Sequence, residues 1–180
     1  TLEKGDVLCK DGKIERIDPC ISLPQSAEVE VLEASGCLVM PGLIDAHCHV
    51  GITEEKKGIE GDDCNENVEP VTPWLRALDA VNMMDAAFVD ARKAGVTCLM
   101  TGPGSSNVVG GQWLALKTFG RRADDALLRA PSAMKVAFGE NPKVNFSGLG
   151  KSPVTRMSIA GLLRKTLYEA LQYCNKREAA

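Results

Sequence analysis

The sequence predicts a parallel α/β fold, because short apolar runs alternate with longer segments of helical periodicity. Three runs have the length and composition of buried strands: 43–50, 96–100 and 133–138. Two other segments space their apolar residues three or four positions apart, as amphipathic helices do; one contains Phe88 and the other Leu163. Strands and helices that alternate in this way form a parallel sheet covered by helices.

The composition is that of a globular protein. The 180 residues are 44% hydrophobic and 25% charged, with a formal net charge of −3. Such a chain, without a basic cluster, is not expected to bind nucleic acid, and no apolar run suits a membrane span or a secretory signal. The seven cysteines are scattered and never form Cys-x-x-Cys. They predict reduced thiols in the cytoplasm rather than disulfides or a zinc knuckle.

The first 41 residues are predicted to form strands with a structural role. Four short runs suit strands: 6–9, 14–17, 29–32 and 37–39. The first two flank Asp11-Gly12, a dipeptide typical of two-residue hairpin turns, and Ser35-Gly36 is the expected turn between the last two. No residue type associated with catalysis clusters here.

Two histidines carry the clearest chemical signal. His47 and His49 are the only histidines in the chain, and strand alternation places them, with Asp45, on one face and Cys48 on the other. Two imidazoles about 6–7 Å apart along a strand can bind one divalent cation, with Asp45 orienting a ring. The alternative is a pair of hydrogen-bonded core histidines without a ligand.

A long polar loop, 51–73, follows this strand, and no residue in it is singled out. Thr72-Pro73 is a helix-start signal, which predicts a helix through Leu78. A second helix is expected after Asn82, with a buried stripe of Met84, Phe88 and Ala91 and an end at Gly95.

The strand at 96–100 leads into a Gly/Ser-rich loop, 101–112. It lacks the Gly-Lys-Ser/Thr ending of a P-loop and the Gly-x-Gly-x-x-Gly of a dinucleotide site, so nucleotide binding is not expected. Asn107 and Gln112 are candidate substrate contacts, although a structural turn explains them equally well. Segments 113–119 and 124–128 are predicted to be partly helical, and Ser152-Pro153 to open a last helix. That helix has an apolar stripe: Ala160, Leu163, Leu167, Leu171 and Cys174.

The string Pro-Gly-Leu-Ile-Asp-Ala-His-Cys-His at 41–49 resembles the first barrel strand of the amidohydrolase superfamily of metal-dependent hydrolases. Other strings resemble an imidazolonepropionase-related bacterial branch of it: 69–73, 94–97, 101–104, 110–112 and 139–143.

This resemblance implies about the first three strands of a TIM (β/α)8 barrel in residues 42–180, preceded by part of a small β-sandwich in residues 1–41. A whole barrel takes about 250 residues, so an N-terminal fragment is expected. In the superfamily an inner strand supplies an acidic metal ligand, either Glu or a carboxylated Lys. Glu140, just beyond the third strand, is the candidate, because Lys135 lies deeper in that strand; Lys143 is the alternative.

The resemblance also implies a function: hydrolysis of a C–N bond in a small amide or cyclic amide. The expected cofactor is a divalent metal, zinc or else Fe, Ni or Mn, and the expected ligands are His47, His49 and Glu140. The expected partners are a small-molecule substrate and, for the full-length protein, further copies of itself. No catalytic base is assigned, so this chain alone is expected to be inactive. The alternative is a non-catalytic metal-binding fragment or a split subunit that requires a partner chain.

Overall fold

The computed structural model describes residues 4–23 and 28–179, and the chain divides into two compact units, Thr1–Met40 and Pro41–Ala180. In the first unit, strands β1 (Asp6–Lys10) and β2 (Lys13–Asp18) pair as an antiparallel hairpin. Its turn has positive φ angles at Asp11 (51°) and Gly12 (72°), as a two-residue hairpin turn requires. The predicted hairpin is therefore confirmed.

The other two strands predicted in the first unit, 29–32 and 37–39, are wrong. Only the turn between them forms, with the Cys37 amide donating to the Ala34 carbonyl at 2.9 Å. A strand exists through its backbone partner, and none pairs with these segments within the part of the chain that the structure describes. Val31 and Leu38 are consequently 76% and 84% exposed.

The second unit contains a four-stranded sheet in the order β3-β4-β5-β6. Its strands are β3 (Leu43–Cys48), β4 (Val96–Thr101), β5 (Val109–Lys117) and β6 (Leu127–Val136). β3 and β4 are parallel, whereas β5 is antiparallel to both β4 and β6. The α/β class is therefore confirmed, but only one adjacent pair of strands is parallel.

Strand β5 replaces the helical segment predicted at 113–119. The link from β4 to β5 is residues 102–108, which is too short for a parallel crossover, since such a crossover takes a dozen or more residues. β5 therefore returns antiparallel, and the helix-forming run Leu114-Ala115-Leu116-Lys117 becomes strand because it pairs on both sides. β6 then runs in the same direction as β3 and β4.

The second unit also contains helices, some of which pack against the core of this sheet and against the start of β5. They are α1 (Ala86–Lys93), α2 (Ala123–Ala126), α3 (Glu140–Gly148) and α4 (Arg156–Glu178). Helix α1 begins after Asp85, whose side chain accepts from the Ala87 amide, and is followed by Gly95 at φ 82°. Phe88 is fully buried on this helix, as predicted, but Met84 precedes the helix and is exposed.

The helix predicted at 72–78 does not form, and only Ala77–Asp79 makes a 3-10 turn. Both the amide and the hydroxyl of Thr72 donate to the Val109 carbonyl, and the Gln112 amide donates to the Leu75 carbonyl. Segment 71–76 therefore lies along the start of β5, and this pairing overrides the Thr-Pro start signal.

The last predicted helix is confirmed as α4, but its cap is Thr155, which accepts from the Ser158 amide, rather than Ser152. Its predicted apolar stripe is half-buried near the start of the helix, at Ala160 and Leu163, and exposed beyond it, since Leu167 and Leu171 are 60% and 56% exposed. Across residues 4–23 and 28–179, no helix is long and apolar enough to cross a membrane.

Candidate metal centre

The two histidines lie at the end of β3, which is an edge strand rather than the buried strand predicted. Among the described residues it pairs only with β4, and Leu43 and Ile44 are 50% and 70% exposed. His47 is exposed on the strand, and His49 is half-buried just after it.

The imidazoles are close neighbours. Their ring centres are 5.8 Å apart and the ring planes are nearly perpendicular, at 88°. Nδ1 of His49 lies 2.7 Å from the Gly102 carbonyl oxygen. Because a carbonyl only accepts, Nδ1 must carry the hydrogen of this bond, which leaves Nε2 as the free acceptor nitrogen of the neutral ring.

This geometry fits two ligands of one metal ion. Two imidazoles on a single zinc ion at Zn–N distances of about 2.0–2.1 Å place their ring centres roughly 5–6 Å apart. A metal-binding histidine also commonly donates its other N–H to a backbone carbonyl, as His49 does to Gly102. Among the described residues, however, no group of three or more His, Cys, Asp or Glu side chains is placed to hold a metal. The chain therefore presents a pair of ligands rather than a full set.

Asp45 holds the histidine segment through the backbone. Its Oδ1 accepts from the His47 amide at 3.1 Å, whereas the sequence predicted a bond to an imidazole ring. Asp45 precedes His47 by two residues in the sequence. The short Asp side chain readily reaches the backbone amide two positions ahead of it.

Trp113 packs against both imidazoles. Its ring centre lies 4.6 Å from that of His47 and 5.7 Å from that of His49, both at 71°. The residue is only 4% exposed, and its Nε1 donates to the Pro103 carbonyl at 3.2 Å. Leu114 and Leu116 are in the core with Phe88, so alternation along β5 places Trp113 on the opposite face of the sheet.

Lys135 joins this arrangement from β6. Its Nζ is 5.4 Å from the centre of the Trp113 ring, and Ala133, two residues before it, pairs with Trp113. Glu140, the predicted third ligand, is the first residue of α3 and is exposed. It belongs to no three-residue metal-binding group in residues 4–23 and 28–179, so its role as a ligand stays a prediction.

The two predicted substrate contacts bind backbone in the structure. Asn107 is fully buried, and its Nδ2 donates to the carbonyls of Glu66 and Glu69 at 2.6 Å each. Gln112 donates from Nε2 to the Pro73 carbonyl at 3.1 Å and, by strand alternation, faces away from Trp113. Gln112 fixes the long loop against β5 and Asn107 fixes it against the link that precedes β5; their contact with substrate stays a prediction.

Cys48 is directed away from the imidazoles, as strand alternation predicts. It packs against the Phe88 core and donates from Sγ to the Met100 carbonyl at 3.3 Å. Burial raises the pKa of its thiol, which keeps it protonated at neutral pH. Because it packs against the core and not beside the imidazoles, Cys48 is not placed to be a third ligand.

The turn after His49 is fixed by two buried residues that the sequence did not single out. Thr101 donates its hydroxyl to the Val50 carbonyl at 2.9 Å. Asp85 is 4% exposed and accepts from the amides of Gly51 and Glu55 at 3.3 Å each. Position 51 also requires glycine, because its φ is 80° and a Cβ would lie 2.8 Å from the Phe88 ring.

Sequence reasoning missed Trp113, which packs directly against both imidazoles. The signal in the sequence was strand alternation: Leu114 and Leu116 would share one face of a strand, and Trp113 would lie on the other face. That signal was outweighed by the helix-forming residues of the same run.

Among known proteins, the chain is similar to proteins named amidohydrolase and dihydroorotase. No family model matches the chain. The amidohydrolase TasK of Hapsidospora irregularis is 31% identical over 97% of this chain, which spans 19% of TasK. A dihydroorotase of Syntrophotalea carbinolica is 48% identical over 27% of this chain and 11% of its own length.

A solved structure is also similar. The crystal structure of an amidohydrolase from Thermotoga maritima matches 97% of this chain with a TM-score of 0.90 and 38% sequence identity. The chain spans 45% of that structure, so it corresponds to less than half of the relatives named here. The shared fold, the His-x-His strand and these relatives lead to one conclusion: the chain belongs to the amidohydrolase superfamily.

Proposed function

We propose that this chain carries part of the metal site of a hydrolase that cleaves a C–N bond in a small amide or cyclic amide. The observation that carries the proposal is the His47–His49 pair, with ring centres 5.8 Å apart and His49 Nδ1 bonded to Gly102. The relatives named amidohydrolase and dihydroorotase support the reaction class.

The proposed cofactor is a divalent cation held by Nε2 of His49 and by His47. Imidazole donors suit zinc, and also iron, nickel or manganese. When bound in such a site, the cation activates a water at neutral pH and polarises the carbonyl that the water attacks. Glu140 is proposed to add a third, negatively charged ligand from the region after β6.

The chain's own residues prepare this site. Gly102 holds His49 in the tautomer that leaves Nε2 free, and Trp113 limits the movement of both rings. Lys135 places a positive charge beside Trp113 and has no carboxylate partner among the described residues. An ammonium group in this place favours a substrate that carries a carboxylate or another anionic group.

The architecture proposed for the whole protein is a TIM barrel. Strands β3, β4 and β6 run in one direction and would be its first three strands, with β5 as an antiparallel strand between the second and the third. The Thr1–Met40 unit would be part of a β-sandwich. The similarity to the Thermotoga maritima amidohydrolase supports this proposal.

The proposed setting is a reducing compartment such as the cytoplasm, because all seven cysteines are free. The proposed partners are the small-molecule substrate and, in the full-length protein, further copies of the chain.

A second candidate is a metal-binding chain without catalysis of its own, or a split subunit that needs a partner chain. The absence of a three-residue metal-binding group within residues 4–23 and 28–179 favours it. The coding sequence that follows Ala180 separates the two candidates. Further His and Asp codons at predicted strand ends support the enzyme, and a stop codon at that point supports the split subunit.

The proposal is tested by metal content and turnover together. After loading with Zn²⁺ and dialysis, the chain should retain metal by elemental analysis, and the double variant His47→Ala/His49→Ala should retain none. The double variant Cys9→Ala/Cys174→Ala, which removes two exposed thiols, is the matched control and should retain as much as the parent. Metal retained without the histidines contradicts the proposal.

In the same experiment a panel of small amides and cyclic amides is incubated with the loaded chain. The 180-residue chain alone should show no turnover, because two histidines leave the ligand set incomplete. Turnover by this chain would contradict that incompleteness and would remove the case for a split subunit.

A further inference from the structure

We infer that Trp113 is the positioning residue of the histidine pair: it fixes the directions of both imidazoles by packing against them, without binding the metal. The inference rests on the proposed metal-binding function and adds a specific residue to it. An indole N–H only donates, so Trp113 has no lone pair to offer a cation and must act through the histidines.

The contacts are those of a ring that restrains two others. Trp113 meets the imidazoles of His47 and His49 at 71°, with centre distances of 4.6 and 5.7 Å. Edge-to-face contacts at such distances are the favoured arrangement of aromatic pairs. The His47 ring is exposed on β3 and makes no hydrogen bond to any described residue, so its closest aromatic contact is with Trp113, at 4.6 Å.

Trp113 is itself tightly fixed, by the turn that also holds His49. Its Nε1 donates to the Pro103 carbonyl, and His49 Nδ1 donates to the neighbouring Gly102 carbonyl. Gly102 is buried, and a Cβ there would lie 2.2 Å from the indole, so the residue must be glycine for the turn to lie this close. One turn therefore sets the position of Trp113 and of His49 together.

An ordinary core role does not account for these contacts. The core cluster contains Leu114 and Leu116 with Phe88, but Trp113 is not part of it. The groups that approach its ring are the imidazoles, the Gly102–Pro103 turn and the Lys135 side chain, on the other face of the sheet.

The first test measures metal affinity. Calorimetric titration of the 180-residue chain with Co²⁺ is compared between the parent and Trp113→Leu. Loss of the support should weaken Co²⁺ binding about 10–100-fold, as for other residues that orient metal ligands. Trp113→Phe, which keeps an aromatic ring but loses the bond to Pro103, should weaken it less and change the visible spectrum of bound Co²⁺.

The matched control is Trp74, the only other tryptophan of the sequence, which is 59% exposed. Trp74→Leu should leave the Co²⁺ affinity unchanged. In a Trp74→Phe background Trp113 is the sole tryptophan, and Co²⁺ should quench its fluorescence, because the ion would bind beside the rings that contact it.

The second test needs no metal. Nitrogen-15 NMR of the histidine rings reports which nitrogen carries the hydrogen. The parent should show His49 with the hydrogen on Nδ1, and Trp113→Phe should show a mixture of tautomers, because the turn has lost one of its two fixed bonds. Trp74→Phe should match the parent.

The outcomes separate the two proposals. If the parent binds no Co²⁺ but the tautomer shift occurs, the metal function is wrong and the positioning role stands. If the parent binds Co²⁺ and folded Trp113→Leu has the same affinity and spectrum, the inference is wrong and the metal function stands. Should Trp113→Leu fail to fold, Trp113→Phe decides the question: parent-like affinity, spectrum and tautomer in that variant overturn the inference.

Discussion

Strands β3 and β5 flank the same pair of imidazoles but differ in almost every physical respect. β3 is an edge strand with five of its six residues exposed, and it carries the histidines. β5 is paired on both sides, has six of its nine residues buried, and carries Trp113. The histidines therefore lie on the strand that contributes little to the core, and Trp113 lies on the strand that contributes most. Under the proposed function, this division would let the two ligands face an open site while Trp113 restrains them.

The largest effect expected from this difference is on stability. Leu116→Ala on β5 removes a fully buried side chain from the core and should lower the free energy of unfolding by about 2–5 kcal/mol. Ile44→Ala on β3 changes a side chain that is 70% exposed. It should change the free energy by no more than about 0.5 kcal/mol. Urea unfolding followed by circular dichroism measures both, and equal losses would contradict the division.

The next comparison is between Glu140 and Lys135 as the source of a third metal ligand. Glu140→Ala should lower the Zn²⁺ retained after dialysis, because it removes a negative charge that the two histidines lack. Lys135→Met should not lower it, since an ammonium near the site repels a cation. Lys176→Met, at an exposed position of α4, is the control, and a loss confined to Lys135→Met would transfer the role from Glu140 to Lys135.

A smaller effect is expected at Asp45. Its carboxylate holds the His47 amide, so Asp45→Ala should weaken Zn²⁺ binding about 10-fold, near the low end for groups behind a ligand. Asp45→Asn keeps an acceptor oxygen and should weaken binding less. If Asp45→Asn is the more damaging change, the carboxylate acts by its charge rather than through this hydrogen bond.

The smallest effect is the pH dependence contributed by Cys48. Burial raises the pKa of this thiol above its ordinary value of 9.0, so the unfolded chain loses the proton first as the pH rises. The contribution of Cys48 to the free energy of unfolding is fully present below pH 9.0, the ordinary pKa. It is lost as the pH rises through the pKa of the folded state. Urea midpoints between neutral and alkaline pH should fall less in Cys48→Ala than in the parent. Cys174→Ala, which removes an exposed thiol, should follow the parent, and an identical fall in all three would contradict the prediction.

The sequence by itself determined the features that depend on near neighbours in the chain. Asp11-Gly12 specified its hairpin turn, the apolar spacing around Phe88 specified α1, and the His-x-His spacing brought two imidazoles to one place. Each follows from local backbone geometry, namely a turn that needs positive φ and the repeats of a helix and of a strand.

Only the tertiary structure decided what depends on distant partners. Whether Leu114-Ala115-Leu116-Lys117 is helix or strand was settled by β4 and β6, and whether 29–32 is a strand by the lack of any pairing segment among the described residues. The same holds for Trp113, Gly102 and His49, which lie far apart in sequence and meet because β3, β4 and β5 are neighbours in one sheet. Propensity acts over a few residues and is weak, whereas pairing and burial act between segments and outweigh it.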